Sequence, residues 1–282
     1  MARYLFSPHS VSAVGAAAAL IMVTPAAAAG PVTLAPHRAV YELKLLRAAG
    51  SRPIEALRGR ILYDFSGSPC EGYGLQFRQV SEIDSGEGRT SLSDLRAITW
   101  EDGMAKTFRF NSQNYLNQKM VDSVDGWAER NADAVAVRLT KPQEKSFNLS
   151  ADMVFPAQHM RRIVEAAIDG RPLLEFPVYD GSENGAKVFD TLTVIGQPIA
   201  PEKKPADASA AHAALTSLKR WPVTISYFER GAARGGEQTP VYSIGFELFE
   251  NGISRALNLD YGEFVVAGDM SQLELKEAKP CP

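Results

Sequence analysis

Apolar and polar side chains alternate with a period of two residues in many short segments of this 282-residue chain, most regularly between residues 37 and 149. The clearest of these segments are residues 40–45, 60–65, 74–80 and 134–139. Because successive side chains of a strand point to opposite faces of its sheet, this period predicts half-buried strands. Strands are also expected at residues 173–179, 187–195, 221–229, 241–249, 254–259, 263–266 and 272–275. The chain is therefore predicted to be mainly β.

Dipeptides of Asp or Asn followed by Gly separate many of these segments. They are Asp102-Gly103, Asp125-Gly126, Asp180-Gly181, Asn184-Gly185 and Asn251-Gly252. Such residues tolerate the positive φ at which strands reverse, and short connections of this kind join antiparallel neighbours. We therefore expect a many-stranded antiparallel meander.

One segment has the period of a helix. Pro156 suits a first helical position, and Asp169-Gly170 is a typical stop. The apolar residues between them recur at three- and four-residue spacing: Met160, Ile163, Val164, Ala167 and Ile168. The sequence thus predicts an amphipathic helix over residues 156–168, whose opposite face lies in water and carries Arg161, Arg162 and Glu165.

This helix is the candidate wall of a binding groove. A curved sheet of this size has more apolar inner surface than its own strands fill, so the apolar face of the helix is expected to pack into the concave side. Met160, Ile163 and Val164 are the candidate groove residues. The alternative interpretation is that these three side chains belong to the ordinary core.

Residues 198–219 differ in composition from the segments around them. Pro198, Pro201 and Pro205 flank a charged cluster at residues 202–204, and an Ala-rich stretch occupies residues 207–218. We expect an exposed insertion, part loop and part short helix, with Asp207 as the possible cap. Because strands are predicted on both sides of it, residues 30–282 are expected to form one domain.

The N-terminal residues have the order of a secretory signal peptide. Arg3 precedes an uncharged apolar stretch at residues 11–23, which is too short to span a bilayer, and four alanines follow at residues 26–29. We expect residues 1–29 to be removed on export. The alternative is an Ala-rich N-terminal helix that is retained.

Export gives the two cysteines a specific meaning. Cys70 lies in a turn-like segment, whereas Cys281 is the penultimate residue. A lone pair of cysteines in an oxidising compartment most simply forms a disulfide. Redox-active pairs typically occur as a close C-x-x-C motif, so we expect a structural bond between Cys70 and Cys281.

Charge and motifs exclude several classes of function. The chain has 30 basic and 33 acidic residues, so loss of Arg3 with the signal peptide leaves 29 against 33, a net charge of −4 without the footprint of a nucleic-acid-binding protein. His37, His159 and His212 lack metal-ligand spacing, and there is no G-x-S-x-G, S-x-x-K or Walker motif. We expect no metal, no cofactor, no catalytic residue and no membrane span in the mature chain.

Two acid–base candidates have simpler structural explanations. His159 falls in the first helical turn, where a histidine usually packs or forms hydrogen bonds, and no nucleophile has an assignable place beside it. Asp180 and Glu183 are conceivable as a carboxylate couple, but their segment has the composition of a turn. We interpret all three residues as structural.

Several short motifs support a family resemblance. They are Phe-Pro-Ala-Gln-His at residues 155–159, Ala-Ala-Ile-Asp-Gly at 166–170, Val-Tyr-Asp-Gly-Ser-Glu at 178–183 and the opening His-Arg-Ala-Val-Tyr at 37–41. With the early and the C-terminal cysteine, they resemble the EipB-type cell envelope integrity family of periplasmic proteins from Gram-negative bacteria. The resemblance covers residues 34–281. It implies an antiparallel open barrel or spiral, a helix against its inner face, a disulfide that secures the end, and no catalytic residues.

Three functions remain in competition. The favoured hypothesis is a non-enzymatic periplasmic factor that maintains the cell envelope under stress by holding a protein partner or an amphiphile in its concave face. The second is a lipid or lipoprotein carrier or sensor, which requires a cavity lined on all sides by apolar side chains. The third is a cell-wall hydrolase, which requires a catalytic cluster in a pocket.

The mature protein is predicted to begin between Ala28 and Val32 and to reside outside the cytoplasm. The measurement is N-terminal sequencing of the protein from fractionated cells. Recovery of a chain that begins at Met1 or Ala2 would contradict both parts of the prediction and would weaken the argument for a disulfide.

Overall fold

The computed structural model describes residues 32–49, 54–86, 88–200, 202–207, 209, 212–231, 238–278 and 281, so the predicted signal peptide lies outside the described residues. The described residues contain fourteen strands and one helix. The strands of the first half are β1 (His37–Ala48), β2 (Ala56–Ser68), β3 (Gly72–Asp84), β4 (Thr90–Glu101), β5 (Thr107–Leu116), β6 (Lys119–Arg130), β7 (Ala134–Lys141) and β8 (Lys145–Ser150). Helix α1 (Pro156–Ile168) is followed by β9 (Leu173–Val178), β10 (Phe189–Ile195), β11 (Arg220–Glu229), β12 (Tyr242–Phe249), β13 (Ser254–Asp260) and β14 (Phe264–Leu275).

All fourteen strands belong to one open antiparallel sheet, which confirms the predicted fold class. Its order is β8-β7-β6-β5-β4-β3-β2-β1-β14-β13-β12-β11-β10-β9, so each pair of adjacent strands is consecutive in sequence except β1 and β14, and the consecutive strands β8 and β9 do not pair. The two edge strands, β8 and β9, are connected through α1. Before the helix, Val154 donates its N–H to the carbonyl of Pro177 at 2.8 Å and accepts from the N–H of Tyr179 at 3.0 Å.

Helix α1 has the predicted bounds and packs against the inner face of the sheet. Ile163 and Val164 are completely buried in a core that includes side chains of β1, β2 and β9–β14. The prediction that its polar face lies in water is wrong in part. The side chain of Arg161 is only 24% exposed and donates to the carbonyl of Gly103, whereas Ile168, assigned to the apolar face, is 39% exposed.

A second apolar cluster includes side chains of β5–β7, among them Phe108 and Phe110, together with Phe155 just before α1. The segment after β9 covers it: Tyr179 is fully buried there and donates its hydroxyl to the carbonyl of Gly185 at 2.7 Å. Gly181 adopts a φ of +68°, and a Cβ at this position would lie 2.5 Å from the ring of Phe110. Only glycine therefore allows the loop to approach this cluster so closely.

Two details of the predicted meander are wrong. Asp125-Gly126 is not a turn but lies within β6, where the register shifts between the two residues, as in a β-bulge. A Gly in a strand often marks such an irregularity, which the dipeptide alone does not distinguish from a turn. The two strands expected at residues 263–266 and 272–275 are one continuous strand, β14.

Residues 198–219 are tied to the sheet more firmly than an exposed insertion implies. The described residues of this segment contain no α-helix. Asp207 forms a buried ion pair with Arg255 at 2.5 Å instead of capping a helix. Leu215 is only 1% exposed and belongs to the main core, although most of its described neighbours in the segment are exposed.

A disulfide joins Cys70 to Cys281, the pairing that the sequence predicts. Cys70 lies in the β2–β3 turn, and the bond closes a loop with a sequence separation of 211 residues. Because β1 pairs with both β2 and β14, the tail after β14 runs beside the β2–β3 hairpin. There the N–H of Lys276 donates to the carbonyl of Pro36 at 3.0 Å, and its ammonium group pairs with Asp64.

We expect thiol labelling without reductant to modify neither cysteine. Cys70→Ser, Cys281→Ser and the double variant should lower the melting temperature by similar amounts, because each removes the same crosslink. The chain-entropy model gives about 5 kcal/mol as an upper value for a loop of this length. Labelling of both cysteines, or additive effects of the two substitutions, would contradict the prediction.

Candidate functional site

A cavity of about 380 Å³ lies between the first turn of α1 and the inner faces of β1–β4 and β11. One wall is a row of directly opposed residues on four adjacent strands: His37, Phe65, Leu75 and Thr99. Directly opposed residues of antiparallel strands project from the same face. The sheet register thus brings side chains that are far apart in sequence to one surface.

Aromatic rings dominate this wall. The ring of His37 stacks on Tyr63 with 5.4 Å between centroids, Tyr63 lies 6.1 Å from Phe65, and Phe65 stacks on Tyr73 at 5.4 Å. Tyr227 of β11 lines the cavity from another strand. Offset ring pairs at these distances are favourable, so the wall is a continuous aromatic surface.

Glu101, the last residue of β4, fixes the helix to this wall. Pro156 has no N–H, and Phe155 before it has no side-chain oxygen that could cap the helix. The carboxylate of Glu101 instead accepts the N–H groups of Ala157 at 2.6 Å and Gln158 at 2.8 Å. A distant strand therefore supplies the negative group that the N-terminus of α1 requires.

Burial raises the pKa of the Glu101 carboxyl to about 7, and the two helix amides, Arg161 and Arg130 offset part of this effect. The ordinary value is 4.5, so the folded state binds more protons than the unfolded chain between these values. Ionisation of Glu101 therefore lowers the free energy of unfolding as the pH rises from about 4.5 to 7.

His159 lines the cavity from the first turn of α1. It is only 4% exposed, and its ring lies edge-on to Phe176 at 6.0 Å. Within the described residues its buried Nε2 has no hydrogen-bond partner. Burial, assisted by the nearby Arg162, lowers the pKa of His159 to about 4, so the imidazole is neutral at neutral pH.

Two more titratable groups line the cavity. Nδ1 of His37 lies 2.8 Å from the carbonyl of Ala35, and burial lowers the pKa of this imidazole. Asp180 accepts the N–H of Ser182 at 2.9 Å in a tight turn, and burial raises the pKa of its carboxyl.

The structure places the three predicted groove residues differently. Met160 lines the cavity and is half-buried. Ile163 and Val164 are completely buried and do not line it, because the helix rotates them toward the sheet while its first turn faces the cavity. Asp180 also lines the cavity. Glu183, the other member of the carboxylate couple considered from the sequence, does not line it and forms an ion pair with Lys187 at 2.5 Å.

The sequence did not identify Glu101 or the aromatic wall. The feature that identifies Glu101 is that an acidic residue of β4 lies directly opposite Tyr73, on the inner face of the sheet. Without the strand register this position cannot be distinguished from an exposed one, since a slip of one residue reverses the faces.

Groups of three or more His, Cys, Asp or Glu side chains suited to hold a metal ion do not occur among the described residues. In the same part of the chain, no helix has the length and apolar character needed to cross a membrane.

The profile of a protein family described as EipB-like matches residues 28–277. The chain belongs to the EipB-like family. The cell envelope integrity protein EipB of Brucella abortus (strain 2308) is 35% identical over 250 residues, which are 89% of this chain and 87% of that protein. A crystal structure of a β-barrel-like protein of the domain of unknown function DUF1849 from Brucella abortus is 34% identical, with a TM-score of 0.80, and the match covers 87% of this chain and 100% of that one.

Membership of the EipB-like family confirms the resemblance identified from the short motifs. The motif at residues 155–159 spans the start of α1, and the motif at residues 178–183 spans the turn that contains Asp180. In this EipB-like chain, both motifs contribute side chains to the cavity, namely those of Pro156, Ala157, His159, Val178 and Asp180.

His159→Gln is predicted to remove part of the acid sensitivity of the protein. The pKa of His159 is 6.5 in the unfolded chain and about 4 in the folded protein. The contribution of His159 to the free energy of unfolding is therefore fully present above pH 6.5 and is lost as the pH falls toward 4. At about 1.4 kcal/mol for each unit of pKa, this amounts to roughly 3 kcal/mol. The ionisation of Glu101 changes the free energy of unfolding in the opposite direction over this pH range. Because both proteins contain Glu101, its contribution cancels when their free energies of unfolding are subtracted.

The measurement is the free energy of unfolding by urea at several pH values between 4 and 7.5. His212→Gln, which replaces an exposed histidine, is the control and should follow the wild type. If the free energies of unfolding of the wild type and of His159→Gln differ by the same amount at all pH values, His159 is not the source of this acid sensitivity.

Proposed function

We propose that this protein is a non-enzymatic periplasmic factor that maintains the integrity of the cell envelope, and that it acts by binding the apolar part of an amphiphile or partner protein in the cavity beside α1. The envelope role is supported by the 35% identical relative named for envelope integrity. The binding role is carried by one observation, the aromatic-walled cavity of about 380 Å³ at the first turn of α1.

Several features support binding in preference to catalysis. The cavity lies within the size range of small-molecule sites and is lined mainly by apolar and aromatic side chains. The two oxygens of Glu101 are occupied by helix amides, and the ring of His159 packs against Phe176. Both groups thus have structural contacts that an acid or base acting on a substrate would have to give up.

A periplasmic location is supported by three independent observations. The relative is an envelope protein by name. The disulfide is of the kind that persists in oxidising compartments. The first 29 residues have the order of a signal peptide.

A lipid or lipoprotein carrier is the second candidate. The same cavity favours it, because apolar side chains come from the sheet on one side and from Met160 and Ala157 of the helix on the other. The two functions differ in whether lipid accompanies the protein when it is purified from native envelopes. Crosslinking of partners in living cells and lipid extraction from the same sample distinguish them.

The cavity hypothesis predicts that Met160→Trp abolishes function without unfolding the protein. The larger side chain fills space at the helix wall, so we expect loss of growth under detergent or cell-wall antibiotic in cells that lack the wild-type gene. Leu75→Trp, on the sheet wall, should have the same effect. Ile163→Ala should instead lower the free energy of unfolding by about 2 to 5 kcal/mol, as expected for a core residue.

Met104→Trp is the matched control, because Met104 is 73% exposed and lies outside the cavity. Protein levels and melting temperatures are measured for all four variants. If Met160→Trp and Leu75→Trp both restore growth fully, or fail only when the protein is also unstable, the cavity is not the functional site.

A further inference from the structure

The charges around the cavity restrict what it can bind. Among the described residues, the side chains that line the cavity include two carboxyls, Glu101 and Asp180, and two imidazoles, His37 and His159, but no Lys or Arg. Burial lowers the pKa of both imidazoles, so neither contributes a positive charge at neutral pH. Among the described lining residues an anionic headgroup therefore finds no cation with which to pair, although Arg162 acts on His159 from outside the lining.

The two carboxyls differ in the partners they already have. Glu101 is bound to the amides at the N-terminus of α1, and Arg130 and Arg161 act on it electrostatically. Asp180 accepts hydrogen bonds within its own turn, from the backbone N–H and the side chain of Ser182 and from its own backbone N–H, and the charged residue that acts on it is another acid, Glu183. Burial raises the pKa of the Asp180 carboxyl, so its ionised form lacks a compensating positive charge, which a cationic ligand would supply.

Aromatic rings adjoin this carboxyl. Burial and, to a lesser degree, the charge of Asp180 raise the pKa of Tyr227, and both side chains line the cavity. The faces of aromatic rings attract cations, and the effect increases when water is excluded. A carboxylate beside aromatic rings is complementary to an organic ammonium group.

His159 supplies a second, independent indication of a ligand. Its imidazole is more than nine-tenths buried, lines the cavity, and carries the Nε2 that lacks a partner in the described structure. A buried polar atom without a hydrogen-bond partner destabilises the folded protein. When the proton of the neutral ring is on Nδ1, Nε2 accepts a hydrogen bond, so an N–H of the ligand would satisfy it.

The size of the cavity limits the rest of the molecule. A volume of about 380 Å³ lies toward the lower end of the range of small-molecule sites, which is enough for one hydrocarbon chain of moderate length with a small headgroup.

We infer that the cavity binds a single-chain primary amine, with its hydrocarbon part against the aromatic wall and its ammonium group between Asp180 and His159. The inference rests on the proposed binding role of the cavity and specifies the chemical class of its ligand. It excludes fatty acids as the preferred occupant.

Calorimetric titration of the purified protein with three eight-carbon probes tests this inference at pH 7.5. Octylammonium, octanol and octanoate share one chain and differ in headgroup charge. We expect octylammonium to bind roughly tenfold or more tightly than octanoate, with octanol between them. Asp180→Asn keeps the oxygen that the turn requires and should remove the preference for the amine while leaving the binding of octanol unchanged.

Asp84→Asn is the matched control, because Asp84 forms an equivalent turn with the N–H of Gly86 at 2.9 Å outside the cavity, and it should keep the preference. Met160→Trp should weaken the binding of all three probes. Equal affinities for the three probes, a preference for octanoate, or a preference for the amine that survives in Asp180→Asn would overturn the inference. Absence of binding by any probe while Met160→Trp still abolishes growth would also overturn it, yet leave the proposed function standing.

Discussion

The bond between the Glu101 carboxylate and the amides of Ala157 and Gln158 is the interaction on which the cavity depends. Helix α1 begins with Pro156 after Phe155, whose side chain has no oxygen that could accept the first free amides of the helix. A carboxylate at the end of β4 accepts these amides instead and, because it belongs to the sheet, also fixes the position of the helix. Burial disfavours the ionised carboxylate, which is the cost of this arrangement.

The strand order of the sheet brings together β1 and β14, the first and the last strand of the described chain. A meander that ran through the chain in order would leave β1 and β14 at the edges, but here they pair with each other and β8 and β9 become the edges. The Cys70–Cys281 bond secures the tail beside β2–β3. These strands carry the aromatic rings, so the disulfide and the cavity wall belong to the same part of the sheet.

Local patterns were sufficient to predict the β class, the bounds of α1 and the pairing of the cysteines, because each depends on short-range periodicity or on compartment. They failed where the outcome depends on long-range register. Asp125-Gly126 lies within a strand, and of the three groove candidates only Met160 reaches the cavity. Glu101 and Tyr63 were missed because the face to which a strand residue points depends on which neighbour it pairs with. Asp207 was misjudged because its partner, Arg255, is 48 residues away.

Hydrogen exchange at the amides of Ala157 and Gln158 tests most directly whether Glu101 holds the helix on the sheet. Amides that donate to a buried acceptor exchange only when that bond opens. We expect slow exchange at both positions in the wild type and much faster exchange in Glu101→Ala, with protection of β1–β4 unchanged. Equal protection of the two amides in both proteins would show that a group other than Glu101 holds the start of α1.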